Sequence, residues 1–68
     1  MNKFIVVEVQ TMQDGTVANI TTAYDTQNAA ESAYHTVLAA AAVSALPCHG
    51  AIIISGEGFP VAHACYKH

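Results

Sequence analysis

Cys48, His49, His63 and Cys65 are the residues of this chain whose types and spacing can do chemistry. Imidazole nitrogen and thiolate sulfur are ligands that zinc and similar ions prefer, and four of them complete a closed tetrahedral site. Centring the last turn of the chain on Glu57 sets Ser55 against Phe59, Ile53 against Val61, Ala51 against His63 and His49 against Cys65. In that register His49, His63 and Cys65 share one face, with Cys48 beside them, because alternate residues of a strand point the same way. Cys48 and His49 are adjacent, so both can ligate only from irregular backbone, and no Cys-x-x-Cys pair supports them. Three other readings use the same residues. Cysteine behaves as a small hydrophobe, so both thiols can fill a core. A cross-strand disulfide is geometrically open to them but disfavoured in a reducing cytoplasm. A Cys65–His49 nucleophile and base lacks an orienting group and an oxyanion site.

Two further constellations carry less. Glu31 and His35 stand i, i+4 on a helical pattern, a spacing that suits proton transfer but more often marks an ordinary surface contact. Gly56-Glu57-Gly58 looks like half of a phosphate-binding loop, yet it precedes a strand pattern rather than a helix N-terminus, so it is a turn. No catalytic activity is expected, and zinc is the one cofactor that the Cys/His cluster brings into question.

The elements that must position these residues are arranged around an alanine-rich helix, expected over 27–46. Thr26 is the N-cap candidate, and Pro47 closes the segment because it has no N–H to donate and disfavours helical geometry before it. At 100° per residue, Ala30, Ala33, Tyr34, Val37, Ala41 and Ala45 form one face, with Leu38 at its margin, to be laid on a sheet. The opposite face begins polar with Asn28, Glu31, Ser32, His35 and Thr36 and continues as an apolar stripe of Ala39, Ala42, Val43 and Leu46. A helix that is apolar all round is covered by its own domain or by a partner. With 68 residues there is little chain left to cover it, so the stripe is a candidate contact with a second copy.

Strand patterns flank the helix at about 3–10, 17–24, 51–55 and 59–66. Phe4, Val6, Glu8 and Gln10 alternate with Ile5, Val7 and Val9, a pattern of a central strand, and Asp14-Gly15 supplies the positive φ of a tight hairpin. Cys48-His49-Gly50 reads as a connector, Ile52-Ile53-Ile54 as a strand buried on both faces, and Pro60 as a mark of a sheet edge. The expected fold is therefore α+β, a two-layer ββαββ sandwich with one helix on a largely antiparallel four-stranded sheet and a weak hairpin–helix–hairpin symmetry. The sheet's other face would be uncovered, with Phe4, Val6 and one or more isoleucines as a second candidate interface; the strand order and the ranking of the two interfaces stay open.

Composition narrows the function. The chain is 53% hydrophobic and 10% charged, against about 45–50% and 25% in an average domain, which points to an oligomer or a partner-binding surface. Two basic residues, Lys3 and Lys67, cannot make a nucleic-acid stripe, and five scattered acidic residues cannot mimic DNA. The opening Phe4-Ile5-Val6-Val7 run is too short for a secretory signal, and the longest apolar run of the helix is too short for a bilayer. A cytoplasmic, soluble protein follows, and the presence of only two cysteines agrees with it.

The run Tyr34-His35-Thr36-Val37-Leu38-Ala39-Ala40-Ala41-Ala42-Val43-Ser44, together with Val9-Gln10-Thr11, Asp14-Gly15-Thr16-Val17 and Cys65-Tyr66-Lys67-His68, resembles short uncharacterised proteins of prophages and other mobile elements in anaerobic gut Firmicutes. The resemblance implies a bacterial, phage-linked setting and assigns no catalytic residue. The expected function is a small homo-oligomeric interaction factor, an accessory, structural or inhibitory protein whose partner is itself or another protein. The alternative is a metal-binding module using Cys48, His49, His63 and Cys65.

Overall fold

A computed structural model describes residues 3–68. Four strands, β1 (Phe4–Thr11), β2 (Val17–Tyr24), β3 (Cys48–Ser55) and β4 (Pro60–Lys67), form one sheet in the order β2-β1-β3-β4, with α1 (Gln27–Ala42) between the hairpins in sequence. Every neighbouring pair is antiparallel. The α+β sandwich expected from the pattern is the fold observed, with β1 central and Pro60 on an edge strand.

Both hairpins turn by the same device. The Met12 N–H donates to the Thr16 carbonyl and the Gly15 N–H to the Met12 carbonyl; the Ser55 N–H donates to Phe59 and the Gly58 N–H to Ser55. In each, a glycine with positive φ, Gly15 at 90° and Gly58 at 92°, occupies the left-handed position that follows a tight turn. Asp14 braces the first turn by accepting from the Thr16 N–H (3.0 Å) and the Thr16 hydroxyl (2.7 Å), which holds its carboxyl below the usual carboxylate range.

The helix begins where expected, since the Ala29 N–H donates to Thr26 Oγ1 at 3.2 Å. It ends at Ala42, four residues before the expected 46. Length explains the difference: 16 helical residues span about 24 Å at ~1.5 Å each, and eight-residue strands about 26 Å, so another turn would overrun the sheet. The end is capped by the Val43 N–H donating to the Ala40 carbonyl and the Ser44 N–H to the Ala41 carbonyl, and Ser44 Oγ accepts from the Leu46 N–H in the loop. Ala45, assigned to the buried helix face from its period, is exposed in that loop.

The core lies between α1 and the two central strands: Val6, Ala51 and Ile53 meet Ala30 and Tyr34, with Phe4, Tyr24, Val37, Leu38 and Ala62 packed around them. Ala30 and Ala41 are fully buried, and their small side chains let the helix sit close to the sheet. Ile53 is the largest side chain with no exposed surface at all. Phe4 and Val6 thus face the helix, and the expectation that they lie on the open face is corrected; Ile5, Val7, Val9, Ile52 and Ile54, which alternate with the core residues, lie there instead.

Candidate functional site

The four residues of the expected cluster fall on opposite sides of the sheet. Cys48-His49-Gly50 is the start of β3, not a connector, and pairs in register with Thr11-Gln10-Val9 of β1. On β4 the turn closes at Ser55 and Phe59 as expected, but the ladder then jumps from Ile54↔Pro60 to Ile53↔Ala62. The extra residue is Val61, beside Pro60, which has no N–H to contribute to a ladder. A slip of one residue turns every later side chain to the other face. His63 is therefore opposite Ile52, Cys65 opposite Gly50 and Tyr66 opposite His49. His63 and Cys65 join Cys48 on the open face, while His49 lies under the helix layer. Among the described residues no three His, Cys, Asp or Glu side chains are placed to hold a metal ion, so the four-ligand site is withdrawn.

Under the helix layer, His49 acquires a partner that local sequence does not indicate. Its ring is buried, at 5% exposure, and Nε2 lies 2.6 Å from Glu8 Oε2. Gln10 Nε2 donates to the same carboxylate oxygen at 3.1 Å. Glu8 and Gln10 are alternate residues of β1, and Gln10 is directly opposite His49, so the three side chains converge from adjacent strands. His49 Nδ1 finds no protein partner among the described residues. A ring with so little exposed surface offers a substrate no approach, and the group acts as a polar clasp at one end of the sandwich. Equal strand lengths were the available signal, since extending the Ile52-Ile53-Ile54 strand back to eight residues brings His49 into the ladder.

On the open face, Cys48 and Cys65 form a close pair, with their Sγ atoms 2.6 Å apart. Cys48 is half-buried and Cys65 exposed. The Cys65 thiol also lies 3.8 Å from the Tyr66 carbonyl, and either sulfur of the pair can donate a hydrogen bond to the other. That hydrogen bond raises the Cys48 thiol above its ordinary value, and desolvation adds to it. Next to the pair is a depression of about 210 Å³ floored by Gly50 and bordered by Val9, Ile52 and His63. A methyl group on Gly50 would lie 2.5 Å from the Ala64 carbonyl oxygen and 2.9 Å from Cys65 Cα, so glycine is what lets the edge strand approach so closely.

The expected helix interface is also altered. Ala39, Ala42 and Val43 are exposed, Val43 at 86%, but Leu46 is half-buried in the loop beyond the helix, so the four do not form one helical stripe. The Glu31 carboxylate accepts from Gln27 Nε2 at 3.3 Å, and the His35 ring stacks edge-on against Tyr34. No protein-family model, curated protein or solved structure matches the chain. No helix among the described residues is long and apolar enough to cross a membrane.

Proposed function

We propose that the chain is a small, non-catalytic interaction factor that acts as a homodimer, the open sheet face of one copy packing on that of another. The observation that carries this reading is the division of aliphatic residues between the two faces. The covered face contributes Val6, Ala51 and Ile53 to the core, whereas Ile5, Val7 and Val9 of β1 and Ile52 and Ile54 of β3 form a contiguous stripe with no layer over it. Asn19 and Thr21 in the middle of β2 and His63 and Lys67 on β4 give the stripe polar borders, while Val17 and Ala23 at the ends of β2 extend its apolar surface. Four strands at ~4.8 Å spacing and ~26 Å length present about 500 Å² in plan, and more once side-chain relief is counted. Two such faces reach the lower bound of stable interfaces, roughly 1,200 Å² in total. Sheets packed this way lie within about 30° of each other.

Size argues in the same direction, because a domain below about 70 residues rarely gains more than 3–5 kcal/mol from one core. The helix end is the weaker surface: two of its exposed residues are alanines, which need no cover. A cytoplasmic accessory, structural or inhibitory role in a prophage or mobile element belongs to this proposal through the resemblance of Tyr34–Ser44 and Cys65–His68 described above. Sedimentation velocity across a concentration series tests the assembly: dimers in the low micromolar range support it, and a persistent monomer removes it.

A further inference from the structure

We propose that Cys48 and Cys65 are a reversible dithiol site, closed to a cross-strand disulfide by exchange with low-molecular-weight disulfides of the glutathione class. Three observations carry it; the first two are independent of what covers the sheet face, and the third is access to Cys65 from the edge strand at the rim of that face. The sulfurs are 2.6 Å apart, about 0.5 Å beyond a bonded S–S distance, so side-chain adjustment alone can close them. Gly50, between Cys48 and Ile52 on the same face and directly opposite Cys65, has no side chain to separate the two; any Cβ there would press on Cys65 Cα and Cβ at 2.9 and 3.0 Å. The pair is also reachable, because Cys65 is exposed and β4 is an edge strand, so the sulfur opens to solvent at a corner of the sheet shared with Thr11 and Lys67.

The exposed sulfur reacts first. Cys65 gives up its proton to water and attacks one sulfur of the reagent disulfide; a mixed disulfide forms on Cys65, the reagent's S–S bond breaks, and one reagent thiolate leaves and takes up a proton. Cys48 then loses its proton and attacks the Cys65 sulfur of that mixed disulfide. The Cys48–Cys65 bond forms as the second reagent thiolate departs and is protonated. In total the two cysteines lose two electrons and two protons, and one reagent disulfide becomes two thiols. Cys48 suits the second role because it is half-buried and its sulfur already lies beside that of Cys65. The product ties the first residue of β3 to the edge strand, which has a neighbour on one side only. Edge and terminal segments are where local opening is cheapest, so the bond acts on the part of the sheet most prone to fray.

The test uses the full chain, reduced and then exposed to excess oxidised glutathione, with intact-mass and peptide-mass readout. The expected wild-type product has lost two hydrogens, retains no glutathione, maps to a Cys48–Cys65 peptide and reverts with dithiothreitol. Cys48→Ser should instead hold one glutathione on Cys65. Cys65→Ser should acquire its adduct on Cys48 at least about tenfold more slowly, since exchange follows thiol access and ionisation. Circular dichroism confirms that each serine variant is folded before its rate is read. A wild-type product carrying two glutathiones, a disulfide-linked dimer in place of the internal bond, or free alkylation of both thiols after treatment overturns the proposal. Equal adduct rates in the two serine variants overturn the order of attack.

Discussion

Replacing Val7 by glutamate separates the open sheet face from the helix end as the assembly surface. Val7 is in the middle of β1, between Thr21 of β2 and Ile52 of β3, on the face away from the helix. On a lone domain the change costs only the preference of a central strand for a β-branched residue, about 1 kcal/mol or less. In a face-to-face dimer each copy would lose the burial of a valine, roughly 1.5 kcal/mol, and would place an unpaired carboxylate in the contact, several kcal/mol more. Taking ~3 kcal/mol per copy as a lower bound on that sum, the dimer loses at least about 6 kcal/mol, which weakens its Kd by roughly 10⁴-fold or more at 1.4 kcal/mol per decade. Val43→Glu, at the 86% exposed helix cap, should leave the dimer intact. Sedimentation velocity and native mass spectrometry read the stoichiometry, and far-ultraviolet circular dichroism shows that both variants are folded. The reasoning is refuted by a wild-type chain that is monomeric at about 100 μM, where a complex of about 1 μM Kd is nearly fully formed. A dimer that survives Val7→Glu and dissociates with Val43→Glu refutes it too, and moves the interface to the helix end.

Three further substitutions test the sandwich itself. Ile53→Ala removes the largest fully buried side chain among the described residues; at about 2–5 kcal/mol it should unfold most of the population, while Ile53→Val at about 0.5–1.5 kcal/mol should stay folded in chemical denaturation. Glu8→Leu deprives His49 of its carboxylate partner and should cost about 1–3 kcal/mol, with most of the loss recovered in the Glu8→Leu/His49→Leu double variant; losses that simply add in the cycle would show that the pair is not coupled. Burial, reinforced by Tyr66, pushes the Tyr34 hydroxyl above its ordinary value of 10.0. A group whose folded value is raised contributes stability below the unfolded value and loses it as pH climbs through the folded one, so melting temperature should fall above about pH 10, and Tyr34→Phe should flatten that alkaline limb.

The architecture was legible because it rests on local rules. Asp14-Gly15 and Gly56-Glu57-Gly58 mark turns by the φ angles they permit, Thr26 marks a helix start by its hydroxyl, and strand and helix periods sort the residues of β1 and α1 into two faces each, without saying which face of β1 meets the helix. The buried side of the helix, Ala30, Tyr34 and Ala41, was read from period alone. The helix ends short of its sequence boundary because Pro47 bounds the segment without fixing how much of it returns to the sheet; the length of the strands below it decides that.

Amino-acid order by itself thus determined the elements, their sequence and the excess of apolar surface over what one helix can cover. Only tertiary structure decided which chemistry-bearing residues meet. The pairing of β1 with β3 joins Glu8 and His49, residues 41 positions apart, and no local pattern encodes that pairing. The residue added beside Pro60 reverses the facing of the rest of β4, and with it the company that His63 and Cys65 keep. Because side chains of a strand alternate with a period of two, one extra residue moved Cys65 away from the His49 it was expected to join and set it against Cys48.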